Sequence, residues 1–89
     1  MIKKRRKLNK DFEKKIYSSK KNVELVLAKI YDIDDEDIQK EYMSAFKEVV
    51  YLYDSLKNDY EEKGFSDNSE KHLTNYKMAF NLFESEFEI

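Results

Sequence analysis

Apolar residues recur at steps of three and four along the middle of the chain, between Ile38 and Tyr60. This spacing has the period of an α-helix and predicts one long helix over residues 35–63. The apolar face comprises Ile38, Tyr42, Met43, Ala45, Phe46, Val49, Val50, Leu52, Tyr53, Leu56 and Tyr60. Successive residues turn by about 100°, so this face covers an arc of about 180°, wider than the stripe of roughly 100° on a helix that packs against one neighbour. We therefore expect a central helix that is contacted from two sides.

The preceding segment, residues 9–31, carries a second helical pattern on one face. Its members are Leu8, Phe12, Ile16, Ser19, Val23, Val26, Leu27 and Ile30. Asn9 is suited to the N-cap, because its side-chain oxygen accepts a hydrogen bond from a free amide of the first turn. Two serines and an asparagine within residues 18–22 compete for backbone hydrogen bonds and weaken the pattern. One continuous helix is the main prediction, and a break near Ser19 is the alternative.

A third helix is predicted over residues 68–86. Its narrow apolar face comprises Leu73, Tyr76, Phe80, Phe83 and Phe87. Gly64 is placed to end the central helix in a left-handed conformation, and Asp67 with Glu70 has the spacing of a capping box. Three glutamates within residues 84–88 lie at the negative end of the helix dipole and favour fraying of the last turn. The alternation of apolar and acidic residues there is also typical of an extended segment.

The boundary between the first two helices is marked by acidic residues. Asp34 is the predicted N-cap of the central helix, Ile33 and Ile38 have the spacing of a hydrophobic staple, and the acids at 35–37 complement the helix dipole. The short connection indicates that these two helices run antiparallel. The sequence thus predicts an all-α fold, a small antiparallel three-helix bundle that forms a single domain over residues 8–89.

Composition agrees with a small helical protein. The chain of 89 residues contains no proline and one glycine, which disfavours tight turns. No apolar run approaches the roughly 20 residues that cross a bilayer, so we expect no membrane span. Residues 1–7 are basic but precede polar sequence where a signal peptide has an apolar region, which favours a cytoplasmic location. The abundance of Lys, Asn, Ile, Tyr, Asp and Glu is typical of AT-rich coding sequences, including those of phages and plasmids.

Enzymatic chemistry finds little support. The chain has no cysteine, a single histidine, His72, no glycine-rich phosphate loop and no nucleophile motif. The acids at 34–37 lack the glycine and terminal glutamate of a calcium-binding loop, and capping already explains them. A helix-turn-helix motif over residues 27–38 is disfavoured, because its recognition helix would present those four acids to phosphates. We therefore expect a non-enzymatic protein without cofactor or metal.

Charge is strongly segregated along the chain. Residues 1–21 contain ten basic and two acidic residues, a net charge of +8, whereas residues 22–89 carry a net charge of −10. The first seven residues are predicted to form a disordered basic arm. An accessory role in DNA or RNA binding is therefore an alternative function, since clustered cations neutralise phosphates. The candidate residues for it are Lys3, Lys4, Arg5, Arg6, Lys7, Lys10, Lys14 and Lys15.

The main functional prediction is a small interaction protein, a regulator or inhibitor that binds a macromolecular partner through acidic and aromatic helical surfaces. Its apolar candidates lie opposite the predicted core faces, and its acidic candidates surround the first helix connection. They are Asp32, Asp34, Asp35, Glu36, Asp37, Glu41, Tyr51, Met78, Leu82 and Ile89. One version is mimicry of nucleic acid, in which the acids occupy a cationic groove of a nucleic-acid-handling enzyme. A homodimer through the apolar stripe and an immunity protein against a peptide toxin are further hypotheses.

Overall fold

The computed structural model describes residues 7–89 and contains three α-helices. They are α1 (Lys10–Tyr31), α2 (Glu36–Lys63) and α3 (Asp67–Glu86). Within the described residues no strand forms, and the predicted all-α, three-helix bundle is confirmed with element bounds shifted by one residue or none. Residues 1–6 of the predicted arm lie outside the described residues.

Helix α2 is the centre of the bundle, because it packs against both α1 and α3 as the width of its apolar face predicts. The core takes side chains from all three helices and is rich in aromatic rings. Its buried members are Phe12, Val23, Val26, Ile30, Phe46, Val49, Tyr53, Leu56, Tyr60, Leu73, Tyr76, Phe80 and Phe83. Two residues assigned to the central face are exceptions, since Ile38 is 45% exposed and Ala45 is also exposed.

Contacts at both ends of α1 and α2 establish their relative direction. The backbone N–H of Asn9, just before α1, donates to the Tyr60 hydroxyl near the end of α2 at 3.0 Å. At the opposite end, the Gln39 amide donates to the backbone carbonyls of Ile30 and Tyr31, at 3.2 and 3.1 Å. The start of each helix therefore lies beside the end of the other. The bond to Tyr31 also satisfies a carbonyl group that has no partner within the helix.

Helices α2 and α3 likewise meet start to end. The rings of Tyr42 and Phe87 have centroids 5.3 Å apart, and those of Tyr53 and Tyr76, nearer the middle, are 6.1 Å apart. Edge contacts between aromatic rings at such distances add modestly to the apolar burial. The early residues of α2 consequently share one end of the bundle with the last residues of α3.

Helix α1 runs without interruption through Ser19, so the alternative of a break there is wrong. Ser19 is buried, and its hydroxyl donates to the carbonyl of Lys15 at 2.8 Å. This internal bond satisfies the serine within a regular helix. The hydroxyl of Tyr76 on α3 donates to the Ser19 carbonyl at 3.2 Å, which links α1 directly to α3.

The N-cap of α2 is Asp35 and not the predicted Asp34. One carboxylate oxygen of Asp35 accepts from the amides of Asp37 and Ile38, at 2.9 and 3.1 Å. The turn after α1 extends to Ile33, whose N–H donates to the Ile30 carbonyl, so α2 begins one residue later than expected. The predicted staple is therefore out of register, since Ile38 occupies the third helical position instead of the fourth.

The connection between α2 and α3 also anchors the segment that precedes α1. Gly64 has φ 80° and ψ −165°, a positive-φ conformation open to glycine but outside the predicted left-handed helical region. The next amide, of Phe65, donates to the Lys7 carbonyl at 2.6 Å, and the Lys7 ammonium lies 5.9 Å from the Phe65 ring centroid. Lys7, assigned to the disordered arm, is thus held against the body of the bundle.

Helix α3 is capped by serines at its start. Ser66 and Ser69 form a reciprocal capping box, in which the Ser69 amide donates to the Ser66 hydroxyl and the Ser66 amide to the Ser69 hydroxyl, at 3.3 and 2.8 Å. The predicted box of Asp67 and Glu70 is therefore wrong by one residue. Both of those acids lie in the first turn, where their charge complements the helix dipole.

The end of α3 is ordered, contrary to the expected fraying. The Ile89 amide donates to the Glu84 carbonyl at 3.0 Å, and the Glu88 amide donates to the Ser85 carbonyl at 3.4 Å. With Glu88 at φ 55°, these bonds make a Schellman motif that closes the helix. The turn satisfies the last carbonyl groups, which offsets the unfavourable charge of the glutamates at this end.

Candidate interaction surface

The fold brings two acidic stretches, residues 32–41 and 84–88, to one end of the bundle. The end of α1, the start of α2 and the end of α3 meet there, as the contacts of Gln39 and Tyr42 show. We call this set of exposed carboxylates the acidic end. Its members are Asp32, Asp34, Asp35, Glu36, Asp37, Glu41, Glu84, Glu86 and Glu88. Two lysines, Lys29 and Lys40, lie on the same part of α1 and α2, so a negative potential is expected to extend from this surface.

Beside the acidic end, an open groove of about 600 Å³ runs between the first half of α2 and the second half of α3. We call it the α2–α3 groove. Its lining residues are Ile38, Glu41, Tyr42, Ala45, Glu48, Val49, Ala79, Leu82, Phe83 and Glu86. The groove exists because Ala45 and Ala79 are small, which leaves space between the helices where larger side chains would meet.

The walls of the groove are apolar and its rim is acidic. Ile38 on α2 is 45% exposed and Leu82 on α3 is 73% exposed, so both present hydrophobic surface to solvent. Glu41 and Glu48 follow one another at a spacing of seven on the α2 side, while Glu86 stands on the α3 side. The groove therefore combines hydrophobic contact area with negative charge on both edges.

A hydrogen bond joins the two sides of the groove. The Tyr42 hydroxyl donates to the Glu86 carboxylate. This bond, together with burial and the nearby charges of Glu86 and Glu41, raises the pKa of Tyr42 above its usual value. The hydrogen bond from the tyrosine hydroxyl holds Glu86 toward the groove.

The predicted apolar partner residues are all exposed, and one of them lines the groove. Met78 and Leu82, at 69% and 73% exposed, lie one turn apart on α3, and of the two only Leu82 is part of the groove lining. Tyr51 is exposed on the part of α2 that faces away from the core, and Ile89 is the last residue of the turn that closes α3.

Several groove residues were missed by sequence reasoning. Ile38 and Ala45 were assigned to the core, while Glu48 and Glu86 were not selected as binding residues. The apolar arc of α2 held no signal for the groove, because an arc of about 180° is no wider than the two stripes of roughly 100° that two neighbouring helices cover. The sequence around Glu48 and Glu86 also gave no indication of a binding role, because these two carboxylates come together at the groove only when the chain folds.

The basic candidates that the structure describes lie before α1 and in its first half. Lys7 is bound at the connection before α3, and Lys10 is exposed in the first turn of α1. A groove of about 560 Å³ between α1 and α3 is lined in part by Lys14, Lys15 and Lys77, and Glu84 of the acidic end lies at the same groove. Lys3, Lys4, Arg5 and Arg6 lie outside the described residues.

A buried carboxylate holds the start of α3 against α2. The Asp59 side chain is 7% exposed, and its Oδ1 accepts from the Asn68 amide at 2.9 Å. The Lys63 ammonium and the His72 Nε2 lie 3.9 and 4.0 Å from the same oxygen. These contacts give His72 a structural position. Over residues 7–89, no group of three or more His, Cys, Asp or Glu side chains is arranged to hold a metal ion.

Comparison of the chain with protein-family models, curated proteins and solved structures finds no match. Across the described part of the chain, none of the three helices combines the length and apolar character needed to cross a membrane.

Proposed function

We propose that this protein is a non-enzymatic interaction protein, a regulator or inhibitor that binds a cationic surface of a protein partner through its acidic end. The observation that supports the proposal is the convergence of nine exposed carboxylates from two separate stretches of sequence, residues 32–41 and 84–88. Like charges brought together repel one another, and capping of α2 by Asp35 accounts for only part of this cluster. A partner with complementary charge relieves that repulsion and is attracted over a distance, which raises the association rate.

Mimicry of nucleic acid is one form of this proposal. Asp35 is partly committed to capping α2, while Asp34, Glu36 and Asp37 are exposed around it. Such a cluster fits a cationic groove that normally accepts phosphates. The partner in this form is a nucleic-acid-handling protein, and binding is competitive with its nucleic acid.

Neutralising substitutions test the proposal. Asp34→Asn, Glu36→Gln and Asp37→Asn, combined in one variant, remove charge while leaving the Asp35 cap in place. The matched control neutralises three exposed acids elsewhere, Glu24, Asp54 and Glu62. Immobilised wild type, variant and control are incubated with extract of the source cells at low and moderate salt, and bound proteins are identified by mass spectrometry.

A partner that the control retains and the acidic-end variant loses supports the proposal, particularly when salt also weakens its capture. Circular dichroism establishes that both variants keep their helical content. Equal capture by the variant and the wild type contradicts the proposed role of the acidic end.

Nucleic-acid binding is a second candidate, favoured by the three lysines that line the groove between α1 and α3. Its test is electrophoretic mobility shift of DNA and RNA by wild type and by a Lys14→Gln, Lys15→Gln, Lys77→Gln variant. Retardation by the wild type that the variant lacks supports this candidate, and absence of retardation at low salt refutes it. The immunity-protein hypothesis rests only on chain length and helical content.

A further inference from the structure

We infer that the α2–α3 groove binds an amphipathic helix of a protein partner, one that has an apolar face flanked on both sides by Lys or Arg. This inference rests on the proposed function and specifies the chemistry of the partner. It is carried by the combination of exposed apolar walls with carboxylates on both rims. An apolar groove between two helices is a recurrent site for the apolar face of a third.

The dimensions of the groove set the length of its occupant. Its lining on α2 extends from Ile38 to Val49, which is about 16 Å at the helical rise of 1.5 Å per residue. The lining on α3, from Ala79 to Glu86, is about 10 Å long. About three helical turns of a partner therefore fit, with apolar side chains at positions i, i+3 or i+4, and i+7 directed between Ile38 and Leu82.

The rim charges set the pattern of the occupant's polar positions. Glu41 and Glu48 are seven residues apart on α2, so a helix lying alongside meets both with cations that are also about seven residues apart. On the α3 side of the groove, Glu86 is complemented by one further Lys or Arg on the opposite flank of the bound helix's apolar face. A neutral or acidic helix would partly desolvate these three carboxylates without supplying a cation to any of them, which disfavours it.

The inference is tested with a synthetic probe. A fluorescein-labelled peptide of about 14 residues built from Leu, Ala and Lys, with leucines at helical spacing and lysines on both flanks, is titrated with the protein and followed by fluorescence anisotropy. A scrambled peptide of identical composition measures attraction by charge alone. We expect the helical peptide to bind about tenfold or more tightly than the scrambled one.

Two matched pairs of variants locate the binding site. Leu82→Glu is compared with Met78→Glu, since both residues are highly exposed on α3 and only Leu82 lines the groove. Glu48→Lys is compared with Glu62→Lys, because both are exposed acids on α2 and only Glu48 lies on the rim. The expected loss is about tenfold or more in peptide affinity for the groove variants and less than about threefold for their controls.

The outcomes separate this inference from the proposed function. Equal affinity for the two peptides, or equal effects of Leu82→Glu and Met78→Glu, overturns the groove as a helix-binding site. If Leu82→Glu still captures the cell partner that the neutralised acidic end loses, the groove is overturned while the proposed function stands. Sedimentation equilibrium tests whether the groove binds a second copy of this chain. Self-association of the wild type that Leu82→Glu abolishes would show that it does, and would overturn the inference of a different protein partner.

Discussion

Replacing Tyr76 with phenylalanine removes a buried hydrogen bond that joins α1 to α3 through the core. The Tyr76 hydroxyl donates to the Ser19 carbonyl at 3.2 Å, longer than the roughly 2.8 Å of a strong O–H···O bond. A typical net contribution is about 0.5–1.5 kcal/mol, and the length places this bond in the lower half of that range. The phenyl ring keeps its stacking on Phe80, with centroids 5.6 Å apart. We therefore expect Tyr76→Phe to lower the free energy of unfolding by about 0.5–1 kcal/mol near pH 7.

The same hydroxyl makes this difference depend on pH. Burial raises the pKa of Tyr76 to about 12, whereas the same side chain in the unfolded chain ionises near 10. Because the folded pKa is the higher one, the contribution of Tyr76 to stability is complete below about pH 10 and is lost as the pH rises toward 12. The phenylalanine variant has no hydroxyl at this position and so has no such loss. The advantage of wild type over Tyr76→Phe in the free energy of unfolding should therefore shrink as the pH rises from about 7 and reverse in sign by about pH 11, because a pKa difference between about 10 and about 12 outweighs a hydrogen bond of about 0.5–1 kcal/mol.

Urea unfolding followed by far-UV circular dichroism at the two pH values provides the measurement. Tyr51→Phe is the matched control, because Tyr51 is 66% exposed and its substitution removes no buried hydrogen bond. Tyr42 and Tyr53 also have raised pKa values, and they are present in all three proteins, so their effects cancel in the comparison. A Tyr76→Phe variant as stable as wild type at neutral pH, or a difference that does not change with pH, would refute the reasoning.

Three further predictions concern the helix ends. Asp35→Ala should destabilise the protein by about 1 kcal/mol and Asp34→Ala by much less in chemical unfolding, because only Asp35 caps α2; equal losses would contradict this assignment. Ser66→Ala should lower the free energy of unfolding by about 1 kcal/mol and Asp67→Ala by less in the same measurement, because Ser66 caps α3; a larger loss for Asp67→Ala would favour the capping box of Asp67 and Glu70 instead. Glu88→Gly should raise the thermal midpoint by removing about 1 kcal/mol of strain at φ 55°, and an unchanged or lower midpoint would speak against the closing turn.

Local patterns predicted the helices well, because helical period and burial are both encoded in short stretches of sequence. The spacing of Phe12, Val23 and Ile30 places them in the core whatever the partner helix is. Ser19 places a polar side chain within that apolar pattern. It does not interrupt the helix, because its hydroxyl donates to a backbone carbonyl within α1. The spacing of the apolar residues is therefore sufficient to predict α1 as one continuous helix.

The caps were predicted to within one residue and not better. Asp34 and Asp35 are chemically equivalent candidates, and the choice depends on how far the turn after α1 extends to Ile33. At α3, Ser66 and Ser69 exchange two hydrogen bonds that an aspartate at the next position does not make. Which of two neighbouring residues becomes the N-cap depends on the backbone conformation of the preceding turn, and no sequence pattern specifies that conformation.

The candidate binding surface was only partly predictable, because it is formed between residues distant in sequence. The acidic start of α2 and the exposure of Leu82 followed from the sequence pattern. Ile38 looked like a core residue, and it is left exposed because it lies one turn before Tyr42, which contacts the end of α3. The bond from Tyr42 to Glu86, residues far apart in the chain, arises only when the end of α3 meets the start of α2.

The most direct test of the proposed surface is a residue-by-residue map of where the cationic amphipathic peptide binds. Isotope-labelled protein is titrated with the peptide, and the backbone amide shifts are followed by two-dimensional nuclear magnetic resonance. We expect the largest changes over residues 38–49 of α2 and 79–86 of α3, with small changes over residues 10–24 of α1. Changes centred on α1, or spread evenly over all acidic residues with the scrambled peptide giving the same map, would contradict it.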